Sequence, residues 1–178
     1  MNRYEIDFQF ENLDIEDPKI DRVISRTFPK AFWGYAFGNF EVSTEIEAKN
    51  GFVAAKQFAI DLRKNFPEII LNWDLKLVSY SAIAELAKVT PEAVRLWSIG
   101  ERGKGDFPKP VSHISNTSYD SPLWTWAEIN NWLIKNKKVK GKSLSPDKFE
   151  VGLIQGFLAE KNIQTEIKYS KKSLVNSR

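Results

Sequence analysis

The stretch LVSYSAIAELAKVTPEAVRLW, residues 77–97, decides the fold of the middle of this chain. It has the pattern of two short helices with a tight turn around Val89. Ser79 can cap the first helix, and Thr90-Pro91 starts the second with a capping hydroxyl followed by proline at the first helical position. The residues expected to face inward are Ile83, Ala84, Leu86, Ala87, Val94 and Trp97. This spacing predicts a helix-turn-helix unit.

The residues that follow the helix pair, 99–136, predict a hairpin and a closing helix. A basic loop runs from Gly100 to Gly105. FPKPVSHI (107–114) is typical of a strand, NTSYDS (116–121) of a polar loop and PLWTW (122–126) of a second strand. The segment WAEINNWLIK (126–135) then has apolar residues at helical spacing. The two strands would form a wing beside the helix pair.

Residues 1–76 alternate between strand and helix patterns. YEIDFQF (4–10) is a half-buried strand, and Asp17-Pro18 opens a helix. Gly38-Asn39 fits a two-residue hairpin turn. A second helix covers residues 50–65, and EIILNWDLKLV (68–78) alternates again. The order β-α-β-β-α-β predicts an α+β domain of the ferredoxin-like type.

Charge is distributed unevenly along the chain. Residues 1–75 carry a net charge of −4, residues 76–145 of +5 and residues 146–178 of +2, within an overall +3. This asymmetry points to a polyanionic partner for the middle segment, with ordinary surface variation as the alternative. We interpret the carboxylates of Glu41, Glu45 and Glu47 as a solvated sheet face and not as a catalytic cluster.

The composition argues against several classes of protein. There is no cysteine, which excludes disulfides and any metal site with thiolate ligands. His113 is the single histidine and has no neighbouring pair of carboxylates in the sequence, so we expect no metal site. The sequence offers no nucleophile–base pair and no phosphate-binding glycine loop, so we expect no cofactor and no enzymatic activity. No apolar run approaches the roughly 18 residues that span a bilayer. We expect a soluble, cytoplasmic protein without a membrane partner.

The run SAIAELAKVTPEAVRLW … GDFPKPV … SPLWTWAEINNWL resembles the small winged helix-turn-helix proteins of the excisionase, AlpA and MerR type from bacteria and phages. The resemblance covers about residues 77–136. The preceding βαββαβ pattern followed directly by this module also resembles bacterial DNA-binding proteins, on topology more than on residues. The resemblance implies a partner of double-stranded DNA and a recognition helix over residues 90–98.

The recognition helix implied by this resemblance has few basic side chains. Its expected outward residues are Thr90, Glu92, Ala93, Arg95, Leu96 and Ser98. Arg95 is the best candidate to read a base edge, because a guanidinium can donate to both acceptors of guanine. A phosphate contact or a salt bridge with Glu92 are the alternatives. Glu92 in turn can accept from cytosine or favour the helix dipole.

The segments flanking this helix supply further candidates for DNA contact. Arg102, Lys104 and Lys109 are expected to neutralise phosphates. The expected contacts of the wing with the DNA backbone or minor groove are His113, Ser115, Asn116 and Thr117. The tryptophans Trp124, Trp126 and Trp132 have the spacing of core residues more than that of a base-stacking platform.

The carboxy-terminal part predicts a basic linker, a helix and a mobile tail. Five lysines lie within KNKKVKGKS (135–143), which we interpret as part of a linker over residues 137–145, with phosphate contact as the alternative. Residues 146–164 predict a helix, and 165–178 a mobile tail. The apolar stripe expected on this helix is Phe149, Leu153, Ile154, Phe157 and Leu158. Such a stripe needs a partner, either its own chain or a second copy, and we expect a homodimer.

Two functions share these predictions. The first is a sequence-specific, double-stranded DNA-binding transcriptional regulator of bacterial or phage type, whose amino-terminal domain binds an unknown protein or small molecule. The second is an excisionase-like architectural protein that assists recombination of a mobile element. RNA binding by the amino-terminal sheet is a weaker alternative, because its aromatic residues fall on the expected core face.

Overall fold

The structure is a computed structural model of the full chain, and the protein belongs to the α+β class. It describes residues 1–36, 38–103, 105–116, 119–139 and 142–176, with only the backbone for residues 36, 115–116, 119–120 and 170–176. The chain divides into two compact units. Met1–Asp74 and Phe149–Arg178 form the first unit, and Leu75–Lys148 form the second. No helix among the described residues combines the length and the apolar character that crossing a membrane requires.

The first unit begins with a four-stranded antiparallel sheet and two helices. Its elements are β1 (Asn2–Glu11), α1 (Pro18–Thr27), β2 (Phe32–Ala36), β3 (Asn39–Ala48), α2 (Gly51–Asn65) and β4 (Ile70–Trp73). The strand order is β2-β3-β1-β4. Alternation along the strands turns one face inward, so Ile6, Phe8 and Val42 are completely buried, and the Phe8 ring stacks on Phe58 of α2 at a centroid distance of 5.7 Å.

Two local predictions for this unit are wrong by small shifts. Ala36 pairs with Asn39, so the hairpin turn comes one residue before the predicted Gly38-Asn39 and includes Gly38 at a φ of 88°. The last strand ends at Trp73 instead of continuing through residue 78. Lys76 has a left-handed φ of 35°, which interrupts the extended backbone, and the chain passes there into the second unit.

The second unit places a helix pair beside a three-stranded antiparallel sheet. Its elements are β5 (Leu77–Val78), α3 (Tyr80–Ala87), α4 (Pro91–Ser98), β6 (Ser112–Asn116), β7 (Tyr119–Thr125) and α5 (Trp126–Lys135). The strand order is β5-β7-β6. The core combines the helix pair, β7 and α5, and its buried residues are Ile83, Ala84, Ala87, Val94, Trp97, Trp124, Trp126, Ile129, Trp132 and Leu133.

The last helix, α6 (Lys148–Asn176), differs from its prediction in length and in its buried face. It continues to Asn176, so residues 165–176 of the tail predicted over 165–178 are helical, and the last two residues lie outside the described part of the chain. Val151, Ile154 and Leu158 are buried, whereas Phe149 and Leu153 of the predicted stripe are exposed. The Arg63 guanidinium donates to Asn162 Oδ1 at 2.6 Å. Of the two expected partners, α6 therefore packs on its own chain, against the first unit.

The end of the segment 137–145 packs against α5 and is not a solvated linker. The Asn130 amide, completely buried on α5, donates to the carbonyl of Ser143 at 2.8 Å and to the hydroxyl of Ser145 at 3.1 Å. The Ser145 backbone amide donates to Asn131 Oδ1 at 3.0 Å. Ser143 and Ser145 are themselves buried, so this end of the segment belongs to the second unit.

Candidate nucleic-acid interface

The helix pair α3–α4 is built from the two caps that the sequence predicts. Ser79 Oγ accepts from the Ala82 amide at 3.4 Å, and Thr90 Oγ1 accepts from the Ala93 amide at 3.2 Å. Each bond satisfies an amide that the first helical turn leaves without a partner. Lys88 ends α3 in the left-handed region, at a φ of 55°, and turns the chain sharply into α4.

The outward face of α4 carries a close ion pair. Arg95 donates two bonds of 2.8 Å to the carboxylate of Glu92, one turn earlier. The hydrogen bonding between the two side chains is the main cause that lowers the pKa of Glu92 and raises the pKa of Arg95. Both side chains are exposed. Of the alternatives considered for Arg95, the salt bridge is the one present in the free protein.

Other positions on α4 are committed to the fold. Thr90 uses its hydroxyl oxygen as the helix cap. The Ser98 hydroxyl lies 2.9 Å from Tyr80 Oη and donates to the Arg95 carbonyl at 2.8 Å. Ala93 is buried, contrary to its predicted outward position, and belongs with Val94 and Trp97 to the buried residues of α4. Glu92 and Arg95 remain as exposed polar side chains of α4, with 61% and 45% of their side-chain surfaces accessible.

The loop after α4 brings Arg102 close to this helix. Gly100, Gly103 and Gly105 all have positive φ values, of 78°, 96° and 74°. Glycine adopts these positive φ values at little energetic cost, because it has no Cβ atom. The Arg102 amide donates to the Leu96 carbonyl at 3.1 Å, which anchors the loop to α4 and leaves the Arg102 side chain exposed. Lys104, the second predicted phosphate contact in this loop, lies outside the described residues.

Lys109 projects from a segment that was predicted to be a strand and is not. Residues 107–110 form a loop, held by the Trp124 indole N–H, which donates to the Pro108 carbonyl at 2.9 Å. The Phe107 ring packs edge-on against Trp132 at a centroid distance of 4.8 Å. The prolines on both sides of Lys109 cannot donate ladder bonds, which explains the missing strand. Lys109 itself is exposed.

The hairpin β6–β7 is longer on its second strand than predicted. Asn116 pairs with Tyr119, so residues assigned to a polar loop belong to β7, and residues 117–118 lie outside the described part of the chain. His113 is exposed and lies opposite Pro122. Ser115 and Asn116 are in β6, but only their backbone is described, and Thr117 lies outside the described residues.

The tryptophans of this unit form its core, as predicted. Trp124, Trp126 and Trp132 are all at least nine-tenths buried, which is incompatible with a platform for stacking bases in this conformation. Trp97 of α4 packs against Trp132 of α5 at a centroid distance of 5.3 Å. The recognition-helix candidate is therefore fixed on its inner side by aromatic packing.

Sequence reasoning missed a set of polar contacts around these rings. Asp106 accepts from the Trp132 indole at 2.9 Å and from Lys135 Nζ at 3.1 Å, and the bond from Trp132 is the main cause that lowers the pKa of Asp106. Lys138 Nζ lies 4.9 Å from the centre of the Trp97 ring. No local sequence pattern predicts these pairs, because their partners are up to about 40 positions apart and meet only through the packing of α5.

Three exposed cations thus lie on segments of defined backbone: Arg95 on α4, Arg102 in the loop after it and Lys109 in the loop before β6. No described residues group three or more histidine or carboxylate side chains as a metal site would. Comparisons with known proteins return no match: no family model, no curated protein and no solved structure is significantly similar to the chain.

Proposed function

We propose that the second unit is a winged helix-turn-helix module that binds double-stranded DNA, and that the protein is a transcriptional regulator. The observation that carries the proposal is the arrangement of α3, α4 and the β6–β7 hairpin. A short capped helix follows another across a tight turn, and a two-stranded ribbon stands next in the chain. This is the order in which winged modules present a recognition helix and a wing to DNA.

The distribution of charge supports the same proposal. The basic part of the chain, residues 76–145, is almost coextensive with the second unit. Arg102 and Lys109 are exposed and form no salt bridge with any other described residue, so both cations are available for phosphates. Arg95 would reach a base or a phosphate after exchanging its bond to Glu92. Wing contacts by His113, Ser115 and Asn116 remain part of the proposal.

The first unit fits this proposal as an accessory domain. We infer a ferredoxin-like fold for it from its element order and from the strand order β2-β3-β1-β4. Its open sheet face carries Glu5, Glu41 and Glu45, which would repel nucleic acid. We therefore assign DNA contact to the second unit and a protein or small-molecule partner to the first.

Binding of duplex DNA across a salt series tests the proposal directly. A random-sequence duplex pool is titrated with the full-length protein, followed by fluorescence anisotropy, and bound duplexes are then selected and sequenced. Each lost phosphate contact should reduce the slope of log K against log salt by about 0.9, so Arg102→Ala and Lys109→Ala should each do so. Lys49→Ala, an exposed lysine of the first unit, is the matched control. Absence of duplex binding at low salt refutes the proposal.

A second candidate, an excisionase-like architectural role, is favoured by the composition of α4. Its exposed face has one basic side chain, Arg95, and that side chain is paired with Glu92. A helix with so few donors reads few bases, and binding would then depend on phosphate contacts and on the deformability of DNA. A circular-permutation assay separates the two functions, since an unbent complex contradicts the architectural role.

A further inference from the structure

The helix α6 carries a second apolar stripe that its own chain does not cover. Phe149, Leu153, Ile163 and Ile167 have 74%, 42%, 56% and 51% of their surfaces exposed. When Gly156 and Glu160 are included, the positions 149, 153, 156, 160, 163 and 167 advance by alternating steps of four and three residues. Such alternation of three and four is the heptad pattern of helices that pair side by side.

This stripe lies on the side of α6 opposite to the buried one. At about 100° per residue, the positions of Val151, Ile154 and Leu158 cluster roughly 180° from those of Leu153 and Ile163. The burial in the structure agrees, since Val151, Ile154 and Leu158 are at most 9% exposed. The helix therefore has two apolar faces, on opposite sides. One apolar side packs on the first unit, and the other faces away from it.

The stripe is self-complementary when two copies of α6 run antiparallel. About a two-fold axis at the level of Leu158, Phe149 meets Ile167 of the other copy, and Leu153 meets Ile163. Gly156 then meets Glu160, so the longest polar side chain of the stripe lies opposite the residue without a side chain. The paired region, from Phe149 to Ile167, is about 27 Å long.

Two glycines, Gly156 within the stripe and Gly152 beside it, allow two helices to approach closely. A Cβ atom built on Gly152 or Gly156 would have nothing within 4 Å, so both glycines face open space. Their cost to an isolated helix is about 1 kcal/mol each relative to alanine. Close backbone approach to another helix is a physical reason for glycine at these positions, as it is wherever small residues are spaced by four along a helix.

We propose that α6 is a dimerisation helix and that its exposed stripe pairs antiparallel with the same stripe of a second copy. We assign a second copy of the chain as the partner of the stripe because, in the antiparallel register, each large apolar residue lies opposite another and Gly156 lies opposite Glu160. The proposal does not depend on DNA binding. If the second unit binds DNA as proposed, the dimer would present two such units to two half-sites.

The oligomeric state of the full-length protein without DNA tests the pairing. Light scattering after size exclusion, over a wide concentration series, should give twice the monomer mass of 20.5 kDa. The double variant Leu153→Glu/Ile163→Glu should return to the monomer mass with unchanged helicity by circular dichroism. The matched control is Gln155→Glu, an exposed position outside the stripe, which should remain dimeric. A monomer for the unmodified chain at every concentration overturns the proposal.

Disulfide trapping tests the direction of the pairing, because the natural chain has no cysteine. A mixture of Leu153→Cys and Ile163→Cys proteins should form the mixed disulfide, since these positions face each other in the antiparallel register. Leu153→Cys alone should not cross-link. Efficient cross-linking of Leu153→Cys to itself would mean parallel helices and would overturn the proposed arrangement.

Discussion

Replacing Asn130 by alanine tests whether the end of segment 137–145 is part of the second unit or a connection to α6. The Asn130 side chain is completely buried and makes two hydrogen bonds, to Ser143 at 2.8 Å and to Ser145 at 3.1 Å. Each bond contributes about 0.5–1.5 kcal/mol. Removing both bonds should lower the free energy of unfolding by about 1–3 kcal/mol. The loss is partly offset because the variant also lacks the buried Asn130 Oδ1, which has no partner among the described residues.

Urea unfolding followed by tryptophan fluorescence measures this change, because four of the six tryptophans lie in the second unit. Asn130→Asp should cost more than Asn130→Ala, since it brings an acceptor and a buried charge against the Ser143 carbonyl. The matched control is Asn136→Ala, which removes one bond within the same helix, to the Trp132 carbonyl, and should cost less than about 1 kcal/mol.

Hydrogen exchange locates the effect within the chain. Asn130→Ala should increase exchange of the Ser145 amide and its neighbours, while α1 and α2 keep their protection. If Asn130→Ala changes stability by less than the control and leaves exchange at residues 142–146 unaltered, the segment is held by something other than this amide. That result would refute the reasoning.

Three further predictions concern the proposed interface and its support. Glu92→Gln should strengthen duplex binding several-fold at low salt, measured by anisotropy, because Arg95 is released and a carboxylate that repels phosphate is lost. Thr90→Ala should reduce thermal stability by about 1 kcal/mol through loss of the α4 cap, and Thr90→Ser should restore it. Asp106 has a pKa lowered chiefly by Trp132, so its contribution is present above its unfolded pKa and lost as the pH falls through the folded one. The stability difference between the natural protein and Asp106→Asn, followed by urea unfolding, should therefore shrink below about pH 4.

Each of these predictions has a contradicting result. Unchanged or weaker DNA affinity of Glu92→Gln would mean that the carboxylate does not face the nucleic acid. Equal stability of the alanine and serine variants at Thr90 would show that the cap contributes nothing measurable. A difference between Asp106→Asn and the natural protein that is constant from neutral to acidic pH would exclude the linkage to Asp106.

Local features of the second unit could be read from the sequence because they depend on neighbouring residues. The caps Ser79 and Thr90 and the helices that they begin follow from hydrogen bonds to amides three positions away. The burial of Trp126 and Trp132 follows from helical periodicity. The candidate residues Arg95, Arg102 and Lys109 could likewise be named as exposed cations, since charged side chains rarely leave solvent unpaired.

Distant contacts could not be predicted, and they changed the interpretation of the site. Phe107–Pro110 has the composition of a strand end, but the Trp124 indole and the Trp132 ring hold it as a loop. The burial of Ala93 depends on how α4 lies against α3. The pairing of Arg95 with Glu92 was one of several local possibilities, and only the structure selects among them.

The sequence by itself determined the α+β class, most of the order of helices and strands and the position of the basic segment, because periodicity, capping and charge act over a few residues. It did not predict β5, which pairs with β7 in the second unit. Only the tertiary structure decided which apolar stripe of α6 packs on its own chain and which remains exposed. Both stripes have helical spacing and similar side chains, so the prediction from the sequence combined residues of both into a single stripe. The choice between them depends on the shape of the first unit, against which Val151, Ile154 and Leu158 are buried.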